Sequence, residues 1–198
     1  MIWFTSDLHL GHANILRLAG RPWEDVDRMN AALVSAINAR VMPGDTLYVL
    51  GDFSFKLKRW RALELRGRIW CRDVRLVPGN HDKNWADPEV AGAFAVEPEL
   101  VRLHAGDRPL VLCHYPLMDW PSLRHGAIHL HGHLHAPASY NEWNRRQGLL
   151  RYDVGVDANG YAPVSLDEVL AYFAGVEHRR RVTRDVWEAF LPPGREEA

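Results

Sequence analysis

The sequence predicts an α/β fold, and two regularities carry that prediction. Short apolar runs rich in β-branched and aromatic residues alternate with longer stretches in which apolar residues recur at helical spacing. Five of the short runs end in a carboxylate, an amide or an imidazole, as strands do at the C-terminal edge of an open α/β sheet. With 198 residues, 47% of them hydrophobic, the chain can bury a substantial core in one domain.

Five strands are predicted, and each leads into polar residues. The predicted strands cover residues 2–6, 46–50, 74–77, 110–113 and 127–130. They lead in turn to Asp7, to Asp52, to Asn80 with His81, to His114, and to a histidine run that ends at His135. Because packing alone does not explain polar residues at every strand end, we expect a functional site at that edge.

Helical periodicity predicts three helices. The first has its apolar face at Val26, Met29, Leu33, Ile37 and Val41. The second has its apolar face at Leu57, Trp60 and Leu63, and Gly67 is expected to supply its left-handed cap. The spacing of Ser165 and Glu168 is that of a capping box, so a third helix is expected to begin there.

Composition and charge narrow the classes of function. A net charge of −1 disfavours nonspecific electrostatic binding to nucleic acid, so nucleic acid is not the favoured partner. The only cysteines, Cys71 and Cys113, cannot form a disulfide framework and are expected to be buried free thiols. Because no leader peptide or membrane-length apolar segment is evident, we expect a cytoplasmic protein without membrane contact. Residues 1–191 are predicted to form the domain, and residues 192–198 a polar tail.

The densest cluster of potential ligands lies at residues 130–135. His131, His133 and His135 stand two residues apart around Gly132. Imidazole is among the commonest ligands for transition metals, and glycine allows a tight backbone turn beside the rings. Taken alone, such a cluster is also consistent with a solvated loop or an adventitious chelator. The other strand ends therefore decide its meaning.

Five motif blocks at these strand ends resemble those of the calcineurin-like metallophosphoesterase superfamily. The blocks are D-x-H at residues 7–9, G-D at 51–52, G-N-H-D at 79–82, a histidine at 114 and G-H-x-H at 132–135. Residues 6–15, Arg21 with Pro22, residues 154–157 and residues 163–168 are similar to a compact group of bacterial and phage phosphoesterases. The resemblance implies a single-domain, four-layer α/β/β/α sandwich.

The resemblance also implies a dinuclear metal centre. Asp7, His9 and His135 would hold the first ion, Asn80, His114 and His133 the second, and Asp52 would bridge both. Oxygen and nitrogen ligands without thiolate favour manganese, iron, zinc, cobalt or nickel, as divalent or mixed-valence ions. His131 and His129 are expected to pack within the fold rather than bind metal.

The activity implied is phosphoester hydrolysis, with a metal-bound hydroxide attacking phosphorus in line. His81 resembles the catalytic histidine that assists the leaving oxygen, and Asp82 is expected to orient its ring. His12 is predicted either to contact a substrate phosphate as a cation or to stabilise its own loop. A chain without a capping domain favours a phosphodiesterase acting on a small-molecule or nucleotide-like phosphoester.

Other functions remain open from the sequence. A phosphomonoesterase or protein phosphatase would use the same site. A metal-dependent binding module without turnover and a structural zinc site are further alternatives. The sequence makes no prediction of an oligomeric state.

Overall fold

Two β-sheets form the centre of the structure, a computed structural model that describes residues 1–82, 85, 92–183 and 186. The domain boundary predicted at residue 191 and the predicted tail at 192–198 lie outside the described residues. Within the described part, none of the helices combines the length and apolar composition needed to span a bilayer.

The first sheet has five strands in the order β4-β3-β2-β1-β9. They are Ile2–Thr5 (β1), Thr46–Val49 (β2), Asp73–Leu76 (β3), Ala95–Val96 (β4) and Val164–Ser165 (β9). The first four are parallel, whereas β9 pairs antiparallel with β1. Thr5 lies opposite Val49, which lies opposite Leu76, so the loops after β1, β2 and β3 leave the sheet together.

The second sheet has four strands in the order β5-β6-β7-β8. They are Leu100–Ala105 (β5), Arg108–Cys113 (β6), Ile128–His131 (β7) and Arg151–Asp153 (β8). The first two form an antiparallel pair, and β6, β7 and β8 are parallel. The described residues therefore contain a strand at each of the five predicted positions, together with four strands that were not predicted.

Helices flank the two sheets, the first four on their outer faces and the last one against the core between the sheets. The helices are Ile15–Leu18 (α1), Val26–Arg40 (α2), Arg59–Gly67 (α3), Ser139–Arg146 (α4) and Leu166–Tyr172 (α5). Met29, Leu33 and Ile37 of α2 are buried in one core with Leu47 and Val74 of the first sheet. On the outer face of the second sheet, α4 contacts β8.

A separate core lies between the sheets. Trp3 and Leu47 belong to the core beneath α2, whereas the next residues of the same strands, Phe4 and Tyr48, point to the opposite face of the sheet. There they pack with three residues of the second sheet, Leu112, Ile128 and Leu130. This alternation is expected of strands that are covered on both faces. The predicted four-layer α/β/β/α arrangement is thus confirmed.

The predicted face of α3 is wrong in detail. Trp60 is 65% exposed, and the buried residues of the helix are Ala62 and Leu65. Leu63 in the helix and Leu57 just before it are partly buried against the core, as predicted, so the error is confined to Trp60. Gly67 is the last helical residue rather than a left-handed cap.

The predicted capping box of α5 is present. Ser165 Oγ accepts the backbone N–H of Glu168 at 3.1 Å, and Glu168 Oε2 accepts the backbone N–H of Ser165 at 2.7 Å. Two backbone donors that have no intrahelical partner are satisfied in this way.

We predict that Ser165→Ala lowers the free energy of unfolding by about 1 kcal/mol, because the Glu168 N–H loses its acceptor. Denaturant unfolding would measure the change. The control is Ser35→Ala, the same substitution at an exposed position inside α2. It should be neutral or slightly stabilising, since alanine has the higher helix propensity. Equal losses in both variants would contradict the cap.

Candidate metal centre

All seven predicted ligands lie at one edge of the sandwich. Asp7, His9, Asp52 and Asn80 follow strands of the first sheet, and His114, His133 and His135 follow strands of the second. The two edges are tied together directly, since Ser6 forms a parallel bridge with Gly155. Residues that are up to 128 positions apart in the sequence therefore meet at a single centre.

The first group consists of Asp7, His9 and His135, whose candidate ligand atoms lie within 4.8 Å of one another. Asp7 Oδ2 accepts the backbone N–H of His133 at 2.9 Å. Asp7 Oδ1 and His9 Nε2 are buried and have no hydrogen-bond partner among the described residues. Because buried polar atoms are ordinarily satisfied, these lone pairs fit a cation that they would coordinate.

The second group is built around His114. Its Nδ1 lies 2.8 Å from the carbonyl of Leu50, which can only accept, so Nδ1 carries the proton. In the neutral ring Nε2 is then a lone pair, 3.0 Å from Asn80 Oδ1 and 3.2 Å from His133 Nδ1. An imidazole lone pair facing an amide oxygen is again a donor set that fits a cation.

Asp52 lies between the two groups. Its Oδ2 is 3.4 Å from His9 Nε2, 3.6 Å from His114 Nε2 and 3.9 Å from His81 Nε2. Oδ1 accepts the backbone N–H of His81 at 2.9 Å. Burial disfavours the charged carboxylate, but the contact with His9, the ring of His114 and the amide of His81 outweigh burial and lower its pKa to about 2. One anionic carboxylate thus faces both groups.

The backbone at this edge adopts a conformation that side chains usually avoid. Asp7, His9, Asp52, His133 and His135 have positive φ angles of 57°, 49°, 54°, 74° and 49°. The left-handed region costs roughly 1–2 kcal/mol per residue. Such strain concentrates where a geometry is functionally required, and here it falls on five of the seven predicted ligands.

Comparisons with known proteins identify relatives of the chain. It is 30% identical over 196 residues to the gene 66 protein of Mycobacterium phage L5, covering 84% of this chain and 91% of the phage protein. It is also 30% identical over 172 residues to the uncharacterised protein MJ1445 of Methanocaldococcus jannaschii, covering 85% and 89% of the two chains. No protein-family model matches the chain.

A solved structure shares the fold. It is a protein of unknown function from Aquifex aeolicus, with a TM-score of 0.68 and 22% identity, covering 85% of this chain and 97% of that chain. The five motif blocks meet at the sheet edge of this two-sheet fold, as the resemblance to the calcineurin-like metallophosphoesterase superfamily implies. The chain belongs to the same protein family as the gene 66 protein of Mycobacterium phage L5.

Asp82 organises the loops rather than the ring of His81. Its carboxylate accepts the backbone N–H groups of Asp52, Phe53 and Gly79 at 2.6, 3.1 and 2.8 Å. Burial raises the pKa of Asp82 to about 6 despite these hydrogen bonds. The prediction that Asp82 orients His81 is therefore wrong, because the carboxylate is engaged by three amides that join the loops after β2 and β3.

His81 and His12 lie at the mouth of the candidate metal centre. The His81 side chain is 35% exposed, and its ring packs edge-on against Phe55 with centroids 4.8 Å apart. The His12 ring stacks on the same phenyl ring at 3.9 Å, and its Nδ1 is 3.2 Å from His9 Nδ1. Burial and the neighbouring His9 lower the pKa of His12 to about 4. Without a substrate the His12 ring is therefore neutral at pH 7, and its contact with a substrate phosphate stays a prediction.

His131 is engaged within the fold, as expected of a residue that binds no metal. Its Nδ1 lies 2.8 Å from the carbonyl of Gly132, and Nε2 lies 3.1 Å from the hydroxyl of Tyr140. The neighbouring ring of His129 is on the same face and equally buried. Both ring nitrogens of His131 thus have partners inside the fold.

Sequence reasoning missed a buried pair beside the site. Arg21 donates to both carboxylate oxygens of Asp157, and Asp157 Oδ2 lies 2.7 Å from His135 Nδ1. Burial lowers the pKa of His135, but the contact with Asp157 and the charge of Asp7 outweigh burial and raise it. Arg21 and Asp157 both lie in segments that resemble the phage group, but no pattern in the sequence indicates that the two residues contact each other.

Gly132 is required for a close approach, not for a left-handed turn. A Cβ at this position would lie 2.0 Å from Ser6 Oγ and 2.3 Å from Asp7 Oδ2. The positive φ angles fall instead on His133 and His135. The glycine therefore allows the loop after β7 to lie directly against the loop after β1.

We predict that Gly132→Ala displaces the Asp7 carboxylate, lowers the free energy of unfolding by about 1–3 kcal/mol and reduces bound Mn²⁺. Denaturant unfolding and elemental analysis would measure the two effects. The control is Gly67→Ala, where a Cβ meets no atom within 4 Å in a helix. That variant should be neutral or stabilised by up to about 1 kcal/mol. Unchanged stability and Mn²⁺ content in Gly132→Ala would refute the steric argument.

Proposed function

We propose that this protein is a dinuclear metal-dependent phosphodiesterase of the calcineurin-like metallophosphoesterase superfamily. The observation that carries the proposal is the buried Asp52 carboxylate facing His9 of one ligand group and His114 of the other. Two-metal hydrolytic sites hold their ions about 3.5–4 Å apart, a distance that one carboxylate can bridge. We assign Asp7, His9 and His135 to the first ion, Asn80, His114 and His133 to the second, and Asp52 to both.

The donor set supports a catalytic centre over a structural zinc site. It contains carboxylate, amide and imidazole groups without thiolate, which suits manganese, iron, zinc, cobalt or nickel. When bound, two such ions would supply a strong nucleophile from water at neutral pH and counter the charge on phosphoryl oxygens. Shaping that site is the task of the chain's own residues.

The protein residues would then control the proton that the leaving group needs. Water adds to phosphorus as the bond from phosphorus to the ester oxygen breaks, which yields a phosphomonoester and an alcohol. His81 lies beside Asp52, with its ring partly exposed at the mouth, and we assign it to donate a proton to the departing oxygen. Its backbone N–H holds Asp52 at the same time, so the proton donor and the central carboxylate have a fixed relation.

The accessibility of the mouth supports a diester substrate. His81, whose ring contacts His9 of the first ligand group, has a side chain that is 35% exposed. Tyr115, whose ring packs edge-on against His133 of the second ligand group, is 44% exposed. A substituent on each side of phosphorus could therefore extend into solvent. Phe55 and Tyr115 offer aromatic rings on the two sides, which suits a small-molecule or nucleotide-like phosphoester.

We predict that the Mn²⁺-loaded protein hydrolyses bis(4-nitrophenyl) phosphate with a higher kcat/KM than 4-nitrophenyl phosphate, because the open mouth accepts both substituents. Release of 4-nitrophenolate measures both reactions. Asp52→Asn should abolish both, since the amide cannot replace an anionic ligand between two cations. A strong preference for the monoester would overturn the phosphodiesterase assignment.

We predict that His81→Ala lowers kcat by about 10²–10⁴-fold while bound Mn²⁺ is retained, because the ring donates a proton and is not assigned as a ligand. Steady-state kinetics and elemental analysis on the same preparation would separate these effects. His104→Ala removes an exposed histidine from β5 and serves as the control with unchanged kcat. An unchanged kcat in metal-loaded His81→Ala would contradict the role of His81 as the proton donor.

A further inference from the structure

Arg21 is a cation buried beneath the first ligand group. Its side chain is fully buried, and that of Asp157 is 8% exposed. Arg21 Nε and Nη2 donate to Asp157 Oδ1 and Oδ2, each at 2.9 Å. This two-point contact fixes the plane of the carboxylate as well as its position.

The same guanidinium also holds the backbone of the first ligand loop. Arg21 Nη2 donates to the carbonyl of Asp7 at 2.6 Å, and Nη1 donates to the carbonyl of Leu8 at 3.0 Å. Arg21 therefore joins the loop that carries Asp7 to the 3₁₀ turn that carries Asp157. The first segment follows a strand of the first sheet and carries the ligand Asp7. The second follows a strand of the second sheet and carries the carboxylate that contacts the ligand His135.

The carboxylate in turn determines the state of the His135 ring. Asp157 Oδ2 lies 2.7 Å from His135 Nδ1 and, as a carboxylate, can only accept from it. In the neutral ring the proton is then on Nδ1, and the lone pair is on Nε2. Metal-binding histidines commonly donate their second ring nitrogen to a carboxylate in this way.

We propose that Arg21 and Asp157 are positioning residues that hold His135 as the tautomer with a free Nε2 lone pair for the first metal ion. The proposal rests on the proposed metal centre, but the tautomer can be measured without metal. Arg21 fixes the carboxylate, the carboxylate fixes the ring, and the same guanidinium fixes the backbone at Asp7.

Asp157→Asn is the discriminating substitution. An amide group in place of Oδ2 would donate to His135 Nδ1 and move the ring proton to Nε2, but it would also face the N–H of Arg21 Nη2. An amide group in place of Oδ1 would face the N–H of Arg21 Nε and leave a neutral carbonyl oxygen, a weaker acceptor than the carboxylate, beside Nδ1. Either orientation breaks the two-point contact with Arg21 and weakens the preference for a proton on Nδ1. The control is Asp73→Asn, because Asp73 also accepts from an arginine, Arg75, but lies at the opposite end of β3 from the site.

The first measurement is long-range ¹H–¹⁵N NMR of the metal-free protein at about pH 9, where free imidazole is neutral. The His135 signals are assigned by their loss in His135→Gln. We expect the Nδ1–H form in the full-length protein and in Asp73→Asn, and a larger Nε2–H fraction in Asp157→Asn. An Nε2–H ring in the unsubstituted protein would overturn the proposal, and that result requires no variant to fold.

The second measurement is Mn²⁺ binding by equilibrium dialysis. Asp157→Asn should weaken one of the two sites by about 10–100-fold. Arg21→Lys keeps the charge but not the two-point contact, so it should weaken the same site. Unchanged Mn²⁺ affinity in both variants would refute the positioning role. If the unsubstituted protein binds no Mn²⁺, the proposed function fails, while the NMR result still decides the tautomer.

Discussion

The geometry of the site depends on how the carboxylate of Asp52 is held. The backbone N–H of Asp52 donates to Asp82, and its Oδ1 accepts the backbone N–H of His81. The remaining oxygen is therefore directed towards His9 and His114, one from each sheet. Because the hydrogen bonds run between the loops after β2 and β3, a shift in either loop would move the carboxylate relative to both histidines.

Buried apolar residues explain how the strained loop after β1 is maintained. Asp7 and His9 have left-handed backbone, whereas Leu8 and Leu10 beside them are fully buried. Burying a leucine is worth roughly 1.5–3 kcal/mol, and a left-handed residue costs roughly 1–2 kcal/mol. The favourable term is at least comparable in size. Backbone hydrogen bonds from Asp7 and His9 to the loop after β2 add to it.

Local sequence patterns were sufficient to place a site residue when that residue directly follows a strand. Asp7 and His114 follow apolar runs, so their placement at the sheet edge could be predicted. The contact between Arg21 and Asp157 spans 136 positions, and no local pattern indicates which buried carboxylate an arginine will meet. The requirement for Gly132 likewise depends on the distance between two loops, and no periodic pattern in the sequence reveals that distance.

Other differences have equally local causes. Trp60 was predicted to share a buried face with Leu57 and Leu63, whereas the helix begins only at Arg59 and buries Ala62 and Leu65 instead of Trp60. The strands β4 and β9 have two residues each, too few for an alternation of apolar and polar positions to be detected. They form through pairing with neighbouring strands.

The distribution of the candidate ligands over both sheets has a consequence for folding. Asp7 and Asp52 belong to the first sheet, and His114 and His135 to the second, so the donor set is assembled only after the sheets have packed. A cation held there would cross-link the two halves of the sandwich. Since the unfolded chain presents no such set, the free concentration of the cation would help determine the folded fraction of the protein.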